Sequence, residues 1–150
     1  MKEVYMALAL KEAEKAFLKG EVPIGVVIVK DDKILAKAHN TRRESKNAIN
    51  HAEIIAIQKA CKRLKDWRLE NAEIYVTLEP CPMCAGAIAN ARIKECYFGA
   101  FDKSSETDFL KLIFQDKRLN HKVIYRGGIM EEECSKLLTS FFKEKRKTLK

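Results

Sequence analysis

Met6, Leu10, Ala13 and Phe17 recur at helical spacing, and the pattern stops before Gly20, which predicts an N-terminal helix. Ile24 to Val29 is a continuous apolar, β-branched run, as expected of a buried strand. Asp31-Asp32 turns it into Lys33–Ala38, so these two strands are predicted to form an antiparallel hairpin. Thr41 to Asn50 is polar and reads as a loop with Asn40 at its mouth. Ile54, Ile57, Cys61 and Leu64 then mark a helix from about His51 to Leu64. Ile74 to Leu78 reads as a strand that Glu79-Pro80 turns into a helix at Cys81. Glu95 to Ala100 follows as a strand, and Phe109, Leu110, Leu112, Ile113 and Phe114 predict a short helix. Lys122 to Tyr125 is a last strand, closed by Gly127-Gly128. Met130, Cys134, Leu137 and Phe141 give the C-terminal helix an apolar stripe that reads as core packing.

Strands that alternate with helices need crossover connections, so the sheet should be largely parallel after the first hairpin. The expected fold is α/β: a three-layer α/β/α sandwich around a five-stranded mixed sheet. One domain is expected over residues 1–150, a length at which about two-thirds of the chain's surface is buried on folding.

Composition narrows the setting. No apolar run approaches the ~20 residues of a membrane span, and Met1-Lys2-Glu3-Val4 opens no signal-peptide core. Cysteines number five, an odd count that argues against a disulfide framework and for a reducing, cytoplasmic compartment. Cys61, Cys96 and Cys134 lie among apolar residues and are expected as buried thiols. Lys and Arg exceed Asp and Glu by 29 − 21 = 8, and the surplus is visible at the C-terminus, where Phe141-Phe142 precedes Lys143, Lys145, Arg146 and Lys147. Two readings of that tail stand. It is a solvated helix end whose cations complement the helix dipole, matched by Glu131, Glu132 and Glu133 at the start. Or it is a phosphate-contacting tail with aromatic support.

The chemistry-bearing residues form short motifs far apart in the chain: Asn40, His51-Ala52-Glu53 and Pro80-Cys81-Pro82-Met83-Cys84. One His and two Cys supply three zinc ligands and leave one coordination position, the arrangement of a catalytic rather than a closed structural site. Cys81 and Cys84, three apart at a helix start, fall on one face, and a helix N-terminus favours thiolate. Pro82 suits the first helical position, which needs no N–H. Glu53, two residues from the His ligand, can move a proton between water and a leaving amine. Other readings remain open. A lone C-x-x-C is often structural or redox-active, and a structural site would need a fourth ligand such as His39, Cys61 or Cys96. Asn50 and Glu53 also fit a helix N-cap and its third residue, which would spend Glu53 on capping.

H-x-E followed by P-C-x-x-C is the zinc deaminase signature. With it, the chain resembles the cytidine deaminase superfamily and, within it, the tRNA-specific adenosine deaminases. The likeness runs through Glu21-Val22-Pro23-Ile24-Gly25, His39-Asn40, His51-Ala52-Glu53, Val76 to Ala87, Phe98 to Asp102, Asn120-His121-Lys122-Val123, and Phe141-Phe142 before a basic tail. It implies that His51, Cys81 and Cys84 bind one Zn²⁺ and that Glu53 is the proton shuttle. Asn40 would hydrogen-bond the purine edge and Asp102 a ribose hydroxyl. Asn120 and His121 would shape the pocket or the RNA path, against a reading as a mere turn before the last strand. Phe142, Lys143, Lys145 and Arg146 would contact RNA. The implied substrate is adenosine at the wobble position of a tRNA anticodon stem-loop, deaminated to inosine by a homodimer whose site is completed across the interface. The sequence departs from the family at Phe101, where a basic residue is common, at Asn50, and in the stretch Ser104–Asp108. Two rivals remain: a small-molecule guanine, cytosine or nucleoside deaminase, and a non-catalytic zinc-stabilised RNA-binding module.

Overall fold

The computed structural model describes residues 1–102 and 108–148. In chain order the elements are α1 (Lys2–Leu18), β1 (Gly25–Lys30), β2 (Lys33–His39), α2 (Arg42–Ser45), α3 (Ala52–Leu64), β3 (Ala72–Leu78), α4 (Pro82–Asn90), β4 (Glu95–Ala100), α5 (Phe109–Phe114), β5 (Ile124–Arg126) and α6 (Glu131–Thr148). The strands form one mixed sheet of order β2-β1-β3-β4-β5. β1 pairs antiparallel with both β2 and β3, and β3, β4 and β5 run parallel.

Alternation along the strands divides the core between two faces. Val26, Ile28, Ile74 and Val76 point toward α3, α4 and α5. Val27, Val29, Tyr75 and Tyr97 point the other way, toward α1 and α6. The expected three layers and five strands are therefore present. The hairpin turn places Asp31 and Asp32 at φ 51° and 59°, the two positive angles of a primed turn that matches strand twist. Gly25, opening β1, lies against the backbone of α1. A Cβ there would come within 1.9 Å of the Ala9 carbonyl oxygen and 2.5 Å of the Ala13 nitrogen. Glu12, buried on α1, meets His39 Nδ1 at 3.3 Å and Lys15 Nζ at 2.6 Å, and so ties the end of β2 to the helix.

The structure revises several expectations. Residues 41–50 are not all loop, because Arg42–Ser45 forms α2. The last strand is Ile124–Arg126 rather than Lys122–Tyr125, since the parallel register with β4 begins at Glu95↔Ile124. In α6 the buried stripe is Cys134, Leu138 and Phe141, and Leu137 is only half-buried. The phase follows from the facing surface: Phe141 meets the edge of Phe17 on α1, with ring centroids 5.8 Å apart. Cys96 and Cys134 are buried as expected, but Cys61 is half-buried. Asp108 caps α5 through a hydrogen bond from the Lys111 N–H at 3.2 Å, whereas the rest of the Ser104–Asp108 stretch lies outside the described residues.

Because both clashing atoms at Gly25 are backbone, Gly25→Ala must displace α1 from β1. The expected cost is about 1–3 kcal/mol, read as a lower denaturation midpoint at unchanged m-value.

Candidate functional site

The candidate centre lies where α3 and α4 begin, at the C-terminal end of β3. His51 and Cys81 are the N-caps of α3 and α4, both in extended conformation, and Pro82 is the first residue of α4. The His51 side chain makes no capping bond to α3, and the Cys81 sulfur sits over the first N–H groups of α4, so both face the centre. Cys84, one turn into α4, is fully buried. Cys81 Sγ and Cys84 Sγ lie 3.7 and 3.5 Å from His51 Nδ1. The three donor atoms all lie within 4.8 Å of one another, and the group can hold a metal ion. Among the described residues no further His, Cys, Asp or Glu joins it, so His39, Cys61 and Cys96 do not close a fourth position.

Electrostatics at the centre follow from burial and helix geometry. The Cys81 thiol is held down to about 5, first by a hydrogen bond from the Cys84 thiol, helped by the backbone N–H groups of Cys84 and Met83 at the start of α4. Cys84 is pushed up by the same bond and by burial. Glu53 is 4% exposed, and burial raises its carboxyl to about 7, with the nearby Cys81 charge acting in the same direction. Its Oε1 is buried without a hydrogen-bond partner among the described residues.

The capping alternative for Glu53 does not hold. The N-cap of α3 is His51, not Asn50, and Glu53 is only the second residue of the helix. The Asn50 amide donates instead to Ser45 Oγ at 2.9 Å. Glu53 is thus a buried carboxyl beside a metal-binding group, with one oxygen uncommitted.

The remaining candidates divide into groups. Asn40, just past β2, is 4% exposed; its N–H donates to the Ile24 carbonyl at 3.1 Å, and its Oδ1 has no partner among the described residues. It lines a cavity of about 540 Å³ together with Phe142 and Lys145 of α6. Asp102 follows β4; its N–H donates to Glu79 Oε1 at 3.0 Å, and Glu79 N–H donates to the Ala100 carbonyl at 2.9 Å. Asp102 lines a second cavity, of about 390 Å³, on the other side of Phe142, and the exposed Phe101 also borders it. Lys143 and Arg146 are exposed on α6 and line neither cavity. Asn120 and His121 are not brought into this group. His121 Nε2 lies 2.7 Å from the Ile93 carbonyl, and that segment precedes β4 and β5 at the end of the parallel strands opposite Cys81.

Glu21 escaped the sequence reading of the site. It is 2% exposed, and its two carboxylate oxygens accept the N–H groups of Arg43 at 3.1 Å and Glu44 at 2.7 Å. It thereby pins the β2–α3 loop, in which α2 carries Arg42 and Arg43 and Lys46 follows, onto the rim of the larger cavity. The available signal was an acidic residue inside the apolar approach to β1.

Sheet order and centre together are those of the cytidine deaminase-like fold. The chain belongs to the MafB19-like deaminase family, whose pattern it matches over residues 1–146. It is 50% identical over 149 residues to the tRNA-specific adenosine deaminase of Bacillus subtilis, a match that covers 99% of this chain and 92% of that protein. A solved structure from work on A-to-I editing by tRNA:A34 deaminases at the wobble position of transfer RNA superposes with a TM-score of 0.84 at 40% identity, covering 90% of this chain and 99% of that one. A guanine deaminase structure from Bacillus subtilis is more distant, with a TM-score of 0.65 at 34% identity, covering 83% and 82% of the two chains.

Glu21→Ala leaves two backbone donors without their acceptor, at a cost on the order of 1–3 kcal/mol. Amide exchange at Arg43 and Glu44 should accelerate while exchange within α3 stays as it was, as read by hydrogen exchange.

Proposed function

We propose that this chain, acting as one catalytic unit over residues 1–150, hydrolyses adenosine to inosine at the wobble position of a tRNA anticodon stem-loop. The observation that carries the reading is a buried carboxylate oxygen without a partner among the described residues, Glu53 Oε1, beside a His/Cys/Cys group that can hold a metal ion, in a chain whose relatives of similar length are named tRNA-specific adenosine deaminases. Zinc is the metal the donor set favours. Bonds of about 2.3 Å to sulfur and 2.0–2.1 Å to nitrogen at tetrahedral angles separate the donors by about 3.5–3.6 Å. The observed separations are 3.5 and 3.7 Å. A zinc ion held there supplies Lewis acidity and activates water at neutral pH.

The chain's own residues perform the proton transfers and the orientation. The new C6–O bond forms from water, the C6–N6 bond breaks, and ammonia leaves. Glu53, whose carboxyl burial brings to about 7, accepts one proton from water and passes it to ring N1, then takes the second from the new C6 hydroxyl and delivers it to the departing amine. Asn40 presents both an acceptor and a donor to the purine edge. Asp102 meets a ribose hydroxyl, and Glu79 fixes the backbone from which it projects. Phe142 stacks on a base flanking the target while Lys143, Lys145 and Arg146 meet phosphates; the support for this reading of the tail is that Phe142 and Lys145 line the cavity beside Asn40. An unpaired anticodon loop makes extrusion of the target base inexpensive.

A homodimer is part of the proposal. Its support is the outward face of α4 and α5, where Met83 and Leu112 are exposed and Pro82, Gly86 and Ile113 border an open groove. A cytoplasmic setting accords with buried free thiols at Cys84, Cys96 and Cys134. The guanine deaminase reading is less favoured by the lower likeness to that enzyme and by the cations around the larger cavity.

Glu53→Ala should retain about one zinc per chain and lose at least 10²–10⁴-fold in inosine formation on an anticodon hairpin. Cys84→Ala should lose zinc, turnover and stability together, as read by metal analysis and thermal melting. A near-normal rate in the Glu53 variant would end this mechanism.

Asn40→Ala should keep zinc and fold but lower kcat/KM by the equivalent of about 1–3 kcal/mol. Loss of zinc in that variant would make Asn40 a support for the metal centre instead.

A further inference from the structure

The cavity beside Asn40 is lined by cations from two segments that are distant in sequence. Arg42, Arg43 and Lys46 come from the loop pinned by Glu21, and Lys145 comes from α6. Glu21 is the one carboxylate among the lining residues, and both its oxygens are turned inward onto backbone N–H groups. The rim is therefore strongly positive. Asn40 adds a buried amide oxygen that has no partner among the described residues. A ligand that satisfies this cavity must carry negative charge toward the loop and a hydrogen-bond donor toward Asn40. A chloride ion or a carboxylate meets the first demand and not the second. A nucleotide in a strand meets both, and Phe142, an exposed aromatic residue, offers a stacking surface for the adjoining base.

We infer that this cavity is a phosphate subsite for single-stranded RNA, in which Arg42, Arg43, Lys46 and Lys145 hold the backbone next to the reacting nucleotide. This rests on the RNA-directed reading above and extends it to loop residues that the motifs did not mark. It assigns the loop a part in distinguishing an oligonucleotide from a free nucleoside. The subsite exists because Glu21 holds the loop: without those two hydrogen bonds the three loop cations are not directed to the same opening as Lys145. Arg43 serves twice, since its Nη1 also donates to the Gly20 carbonyl at 3.3 Å.

The test uses the zinc-loaded full chain and a fluorescent anticodon hairpin, with affinity measured by anisotropy across roughly 50–200 mM salt. Arg42→Gln/Arg43→Gln/Lys46→Gln should flatten the log–log salt slope by about 2, three contacts at about 0.7 each. KM for the hairpin should rise while kcat at saturation stays within about twofold. If loss of the Arg43 bond to Gly20 unfolds that variant, Arg42→Gln/Lys46→Gln should still flatten the slope by about 1.4. A hairpin with neutral methylphosphonates flanking the reacting nucleotide should bind the unaltered chain more weakly and lose little more against the variant. An unchanged slope in a folded variant would overturn the inference, as would poly-glutamate displacing the hairpin as well as unlabelled hairpin does. Failure of the unaltered chain to form inosine would strike the deaminase reading instead, and the salt slope would still decide the subsite.

Discussion

The positions of His51, Cys81 and Cys84 depend on two helices starting at one place. α3 and α4 pack on the same face of the sheet through Ala52, Ala56, Ala60, Ala85, Ile88 and Ala89, all buried. Small residues allow both helices to approach the strands closely, and β3 feeds directly into α4 through Glu79 and Pro80. With both helices fixed, their N-caps face one another. Donor separations of 3.5 and 3.7 Å follow without any contribution from a flexible loop. The same helix starts supply the partial positive charge that favours thiolate at Cys81.

This arrangement also explains why polar atoms are left uncommitted in a well-packed region. Buried polar atoms without partners destabilise a fold, commonly by about 1–3 kcal/mol each. Among the described residues Glu53 Oε1, Asn40 Oδ1 and His39 Nε2 are such atoms; Glu53 lies beside Cys84 of the His/Cys/Cys group, and Asn40, next to His39 at the end of β2, lines the larger cavity. The core on both sides of the sheet offsets that cost. Burial in turn sets the chemistry, because it brings the Glu53 carboxyl to about 7, where it can both take and give a proton near neutral pH.

Much of this was legible in the sequence, for physical reasons that differ by element. Buried strands leave short apolar runs, β-branched in β1 and β3 and aromatic in β4, so all three were visible to within two residues. The Cys81-Pro82 step announced a helix start because proline is tolerated there. α2 was not visible: four residues carry no periodicity, and what holds the helix is Glu21, some twenty residues away. The burial of Leu138 in place of Leu137 depends on α1, which α6 meets only in three dimensions. Asn50 looked like a cap by composition alone, but extended His51 took that position. Asn120 and His121 adjoin a strand whose N-terminal end faces away from the centre, a direction that sequence spacing does not encode.

The central claim is that Glu53 and the His/Cys/Cys group together direct water onto C6 of an RNA adenosine. The most direct measurement is mass spectrometry of nucleosides from an anticodon hairpin treated with the zinc-loaded chain in ¹⁸O-enriched water. The account predicts inosine at the wobble position alone, carrying one heavy oxygen per molecule formed. Adenosine left intact at that position, or inosine without the label, would contradict it.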